Sequence, residues 1–309
     1  MKNFFAIIIL GFLLCGNTYA EKKSEDKKPK LRKELSCKYN PRCENFPKVK
    51  KIEGIKYPLT MVQKQKGEKP SGENYYIFHF KPKINKPSPY IVIIPSSGGI
   101  GQASAVTFKR YTDKLLNTGF GVIILDIFYN TGIYKGTVSR GPAASMGALS
   151  VIEFIKVRFP ELSNNKFGVM GGSRGGMTVL SLAGELIRDN YLYKNVNQWF
   201  NAGVAFYPSC GKQKLLMPVI VFIGELDEWL SPTNCKLWKQ RDEEQISSGL
   251  LQIFIYKNAH HGFNKELFKK LERSTSKNHD YAGRAYQYNE FADKDSETKM
   301  LDFFETRLN

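Results

Sequence analysis

The sequence predicts an α/β fold: a doubly wound, mostly parallel sheet, with helices on both faces and no large lid. Three observations carry that expectation. Short, almost wholly apolar segments recur along the chain, and a strand that is apolar on both sides must be covered on both sides, as in a helix-flanked parallel sheet. Helical stretches alternate with these segments. Residues able to do chemistry fall just past strand ends, where open α/β sheets bind their ligands.

Taken in order, Tyr75 to Phe80 is a strand rich in aromatic and β-branched residues. Three prolines between Lys81 and Pro89 end it. Tyr90 to Ile94 is fully apolar and runs into Pro95-Ser96-Ser97-Gly98-Gly99-Ile100-Gly101. Phe108 to Leu116 is a helix candidate, and Gly121 to Leu125 the next strand. Ala143 to Phe159 places Leu149, Ile152, Phe154 and Ile155 at helical spacing. A strand ending at Gly172 follows, then a helix from Gly175 to Ile187 and a strand from Ala202 to Tyr207. Pro218 to Ile223 reads as a strand, Thr233 to Ile246 as a helix, Leu251 to Tyr256 as the last strand and Ser296 to Leu308 as the closing helix. Only Pro208 to Met217 separates two of the strands, too little for a helical lid, so the site is expected to be open and shallow.

The 309 residues, 42% hydrophobic and 24% charged, have the composition of an ordinary globular protein. Residues 1–20 read as a signal peptide: Lys2, an apolar run from Phe4 to Cys15, and the small-x-small site Thr18-Tyr19-Ala20 before Glu21. The apolar run is shorter than the ~20 residues of a membrane span. Export to the periplasm or beyond is therefore expected. Residues 21–51 read as a basic, largely disordered arm, and residues 52–309 as the catalytic domain. The arm concentrates much of the net charge of +17. An exported chain with no recognised nucleic-acid fold is not expected to bind nucleic acid; the arm reads first as a solvated basic tail, with weak contact with an anionic cell surface as the alternative. Export leaves Cys37, Cys43, Cys210 and Cys235 in an oxidising compartment. Three pairings are open, and locality favours Cys37 with Cys43 and Cys210 with Cys235. No Cys-x-x-Cys or close His pair of metal-ligand spacing is present, so no metal or cofactor is expected.

The chemistry centres on Phe167-Gly168-Val169-Met170-Gly171-Gly172-Ser173-Arg174-Gly175-Gly176. It reads as a strand turning sharply on a serine into a helix, the G-x-S-x-G nucleophile elbow. A serine hydroxyl needs a base within reach. His260 and His261 follow the last strand, and imidazole has the near-neutral pKa the task requires. His79 and His279 read as structural or surface residues. Asp227, in Gly224-Glu225-Leu226-Asp227-Glu228-Trp229, is the acid that would hold one imidazole tautomer, ahead of Glu225, Glu228 and Asp126. The order Ser, Asp, His is that of the α/β-hydrolases. The oxyanion donors are expected to be the N–H of Arg174 and that of Gly98 or Gly99.

With these residues in view, the chain from about Tyr57 to Leu308 resembles the dienelactone hydrolase-like branch of the α/β-hydrolases. The resemblance rests on Gly171 to Gly176, on Gly224-Glu225-Leu226-Asp227 and on Tyr256 through His261-Gly262-Phe263. It implies a sheet of about eight strands, that His261, which precedes Gly-Phe, is the base, and that Tyr207 to Cys210 and Asn234-Cys235 follow an exported pattern. The namesake enzymes use a cysteine nucleophile on a lactone. Ser173 instead implies hydrolysis of carboxylic esters through an acyl-serine intermediate, on a small-molecule ester. A serine peptidase or acyl-peptide hydrolase is the second reading, and an inactive surface-binding hydrolase fold the third.

Overall fold

Eight strands form the main sheet among the described residues, which are 50–52, 75–100, 102–126, 141–185, 199–275 and 282–309 of a computed structural model. All fall within one unit, Leu31–Asn309. In chain order the strands are β1 (Lys50–Ile52), β2 (Tyr75–Phe80), β3 (Ser88–Ile94), β4 (Gly121–Asp126), β5 (Ser163–Gly172), β6 (Ala202–Phe206), β7 (Val219–Gly224) and β8 (Leu251–Tyr256). Across the sheet the order is β1-β2-β4-β3-β5-β6-β7-β8. The first two pairings are antiparallel, and the rest are parallel. β3, β6 and β7 are buried along their whole length, in keeping with their mostly apolar sequences.

Six α-helices are described: α1 (Gln102–Asn117), α2 (Gly141–Arg158), α3 (Arg174–Ala183), α4 (Pro232–Arg241), α5 (Glu243–Ser247) and α6 (Glu290–Leu308). β5 shows which face each covers. A Cβ on Gly168 would meet Phe304 and Leu308 of α6, whereas one on Gly171 would meet Gly175 of α3. Residues an odd number apart on a strand point to opposite faces, so α6 and α3 lie on opposite sides of the sheet. Small side chains there let both helices pack against the strand.

Element boundaries moved where a cap or a side-chain bond replaced the apolar signal. α6 begins at Glu290 rather than Ser296, because the Asn289 side chain accepts the N–H of Ala292 at 3.0 Å. The single helix expected from Thr233 to Ile246 is two, α4 and α5. Asp242 breaks it, its carboxylate accepting from Trp238 Nε1 at 2.9 Å and from Gln245. β1 takes in Lys50 and Lys51, assigned above to the arm, and pairs them with Ile77 and Tyr76. Lysines suit an edge strand, where they discourage pairing with another chain. Asp126 sits at the end of β4 opposite Tyr76, a strand-end position. A two-residue ribbon, β9 (Glu272–Arg273) with β10 (Ala285–Tyr286), was not anticipated. Residues 1–49, with the signal segment, most of the arm, Cys37 and Cys43, lie outside the described residues, as does His279.

Cys210 and Cys235 form a disulfide spanning 25 residues, both sulfurs buried. It ties the segment after β6 to α4. Replacing both cysteines with serine is expected to lower unfolding free energy by about 3 kcal/mol through the larger entropy of the open unfolded chain, measured by urea denaturation.

Candidate active site

The elbow is packed so closely that its glycines leave no room for a Cβ. Ser173 has φ 55° and ψ −117°, a strained conformation for a residue with a side chain, costing on the order of 1–3 kcal/mol. It is held by Ser173 N–H donating to Phe206 O at 2.9 Å and by Met177 N–H donating to Ser173 O at 2.9 Å. A Cβ on Gly175 would overlap the carbonyl of Ile94, and one on Gly172 would stand 2.8 Å from the Tyr207 hydroxyl oxygen. The glycines therefore let β3, the serine turn and Tyr207 crowd together at one edge of the sheet.

Asp227 and His261 reach the same edge on neighbouring loops. Gly224 is needed between them, since a Cβ there would overlap Ala259 O. Leu226 N–H donates to that carbonyl at 2.9 Å, locking the acid loop to the histidine loop. Asp227 Oδ1 accepts the N–H groups of Trp229 (2.8 Å) and Leu230 (2.9 Å). Its other oxygen, Oδ2, lies 2.7 Å from His261 Nδ1. Both residues are buried, at 5% and 3% exposure, so the bond is shielded from water. The structure thus joins Asp227 to His261 and not to the neighbouring His260. Glu225 faces Lys236 at 3.7 Å on the surface. His79 lies buried in β2, its Nε2 3.1 Å from the Tyr90 hydroxyl.

The imidazole stands among Tyr207 (ring centroids 4.6 Å), Trp229 (5.6 Å) and Tyr286 (5.9 Å). Burial pushes its pKa below 6.5; the Asp227 hydrogen bond and charge oppose that shift, and the Lys265 and Arg284 charges add to it. Lys265 is itself pushed down to about 8 by burial. A lowered histidine pKa means that the unfolded chain takes up more protons near neutrality. The resulting stabilisation is present above 6.5 and is lost as pH falls through and below that value.

The serine is half-buried, and among the described residues its hydroxyl makes no hydrogen bond with the imidazole. Tyr207 contacts the His261 ring and packs against Gly172, the residue before the serine. Catalytic hydrogen bonds are often long in the absence of substrate and tighten when it binds. Arg174 is the first residue of α3, the helix end at which N–H groups gather. Of the two glycines after β3, Gly99 N–H closes a turn onto Ser96 O at 2.8 Å, which occupies the donor an oxyanion would need. Gly98 has nothing within 4 Å of where a Cβ would stand.

Sequence reasoning missed the residues that hold the histidine loop. Tyr207, at φ 38°, donates to Asn264 Oδ1 at 3.0 Å, and Asn264 Nδ2 donates to the Tyr111 hydroxyl at 2.8 Å. Arg110 of α1 pairs with Asp293 of α6 (2.5 Å) and with Glu266 of the loop (2.6 Å). Position just past β6 was the one available signal for Tyr207. The connection after β6 supplies no cap, and the β9–β10 ribbon, arriving from downstream, sets Tyr286 against Trp229 and His261.

The dienelactone hydrolase family profile matches residues 76–308. The chain belongs to the dienelactone hydrolase family. It is therefore an α/β-hydrolase, an enzyme of ester- or lactone-type bonds. A search of curated proteins found no significant match. Similar solved structures agree in fold. A dienelactone hydrolase-like promiscuous phosphotriesterase from metagenomic libraries is 18% identical, with 85% of this chain and 99% of that one covered and a TM-score of 0.55. The apo form of Thermogutta terrifontis esterase 2 is 15% identical, with 84% and 96% covered and a TM-score of 0.55. The same esterase phosphorylated by paraoxon is 14% identical, with 82% and 94% covered and a TM-score of 0.55.

A base with a lowered pKa stays neutral into mildly acid solution. The acid limb of kcat/KM is expected to have its midpoint below 6.5; a pH–rate profile with the midpoint above that value would contradict the burial argument.

Proposed function

We propose that this dienelactone hydrolase family member is a serine hydrolase that cleaves carboxylic esters through an acyl-serine intermediate. The observation that carries the reading is the buried 2.7 Å bond between Asp227 and His261 at the same sheet edge as the strained Ser173 turn. In this scheme His261 Nε2 takes the proton of Ser173 Oγ as the hydroxyl attacks the ester carbonyl. Asp227 holds the Nδ1–H tautomer and stabilises the imidazolium that forms. The carbonyl oxygen becomes an oxyanion facing the Arg174 N–H and the loop after β3. Collapse expels the alkoxide, which takes the proton from His261. A water activated by the same imidazole then frees the acid and restores Ser173.

A cavity beside Gly172 is lined by Ser96, Ser104, Phe108 and Tyr207, among others. The solved esterase also carries bound butyrate and propionate in other structures, which fits the same reading. Export to the periplasm or beyond, with no nucleic-acid partner, remains part of the proposal.

Ser173→Ala is expected to lower kcat on p-nitrophenyl acetate or butyrate by roughly 10⁴-fold or more. Fluorophosphonate labelling should mark the wild type and not the variant. Retained turnover in Ser173→Ala would remove the assignment, and peptide cleavage faster than ester cleavage would favour the peptidase reading.

A further inference from the structure

The ribbon after the histidine loop does more than close a gap. Ala285 N–H donates to Glu228 Oε2 at 2.9 Å, and Trp229 Nε1 donates to Ala285 O at 3.2 Å. Arg284 Nη1 donates to Trp229 O at 3.0 Å, and Arg273 faces Glu228 at 3.9 Å. Every one of these contacts lands on Glu228 or Trp229. Those are the two residues directly after Asp227, and Asp227 Oδ1 accepts the N–H of Trp229. Fixing that short stretch therefore fixes the carboxylate itself. On its other side the ribbon bridges Tyr286 to His261 as a parallel β-bridge, and it lays the Tyr286 ring 4.8 Å from Trp229 and 5.2 Å from Phe268. Trp229 in turn stacks on the imidazole at 28°.

We propose that the β9–β10 ribbon is a strap that clamps the acid loop to the histidine loop and keeps water off the imidazole, with Glu228 and Tyr286 as its positioning residues. The inference rests on the esterase reading of Ser173, His261 and Asp227. Neither residue touches a reacting atom. Glu228 acts through the backbone that holds Asp227, and Tyr286 acts by covering His261.

The charges around the imidazole make the effect readable. Asp227 faces it from the acid loop, Lys265 from its own loop and Arg284 from the strap, with the Tyr207 and Tyr286 hydroxyl-bearing rings alongside. Burial is the largest influence on His261 and lowers its pKa. Opening the strap would let water solvate the imidazolium, so the midpoint should rise toward 6.5.

The test uses the full-length protein. The ring C–H signal of His261, assigned by its loss in His261→Gln, is followed through a pH titration by NMR. Tyr286→Ala should raise the midpoint, and Tyr286→Phe should leave it unchanged. Separately, Glu228→Ala should lower kcat on p-nitrophenyl acetate by about tenfold with little change in KM, as expected for a misplaced catalytic group. Glu228→Gln, which keeps the acceptor for Ala285 N–H, should restore most of that loss. An unchanged midpoint in a folded Tyr286→Ala protein overturns the strap. So does a loss of kcat in Glu228→Ala that Glu228→Gln fails to restore. The titration is read without turnover. Absence of fluorophosphonate labelling in the wild type would therefore remove the esterase reading while leaving the strap separately testable.

Discussion

The hydrogen bond between Asp227 and His261 holds together two loops that reach it from the adjacent strands β7 and β8. A charged carboxylate that is 5% exposed is tolerable only if its oxygens are filled, and here they are. One oxygen takes two backbone N–H groups from its own turn, and the other takes the imidazole. The bond sets which ring nitrogen carries the proton, leaving the opposite nitrogen as an acceptor. Much of the surrounding architecture keeps this pair dry and aligned. Gly224 gives up its side chain to the histidine loop, Asn264 links that loop to Tyr207 and Tyr111, and Arg110 ties it to α1 and α6.

A second constraint lies in the turn at Ser173. Its backbone is strained, and the surrounding packing must outweigh that cost. Glycines at 171, 172 and 175 accept contacts with Gly175, Tyr207 and Ile94 that no Cβ could share. The result is a hydroxyl at the end of β5, at the start of a helix, beside the loop that leaves β3. Strain and close packing are thus two aspects of one device. The fold stores the cost at the half-buried serine where β5 turns into α3.

Much of this was legible in the primary sequence, for local reasons. β2 and β8 matched their apolar runs because burial on a strand is written in consecutive residues. The Gly-Gly-Ser-Arg-Gly-Gly turn is likewise local, since each glycine answers a clash within one strand–helix corner. The choice of Cys210 with Cys235 also followed from locality. What escaped had little apolar signal. β9 and β10 are two residues each and partly charged, so neither period nor propensity marks them. The start of α6 depended on one Asn side chain, and the break at Asp242 on two bonds from residues in the flanking helices.

The sequence alone determined the kind of fold and the serine turn, and it singled out Asp227 and a short list of histidines. Each is expressed in neighbouring residues through periodicity, turn chemistry or position after a strand. Only the tertiary structure decided that Asp227 meets His261 rather than His260, that Tyr207 and Asn264 brace the loop, and that a ribbon from downstream sets Tyr286 against His261. Those outcomes depend on strand order and on side chains tens to well over a hundred residues apart coming within a few ångströms. Distances of that kind follow from how the whole sheet and its helices pack, and no short window of residues contains them.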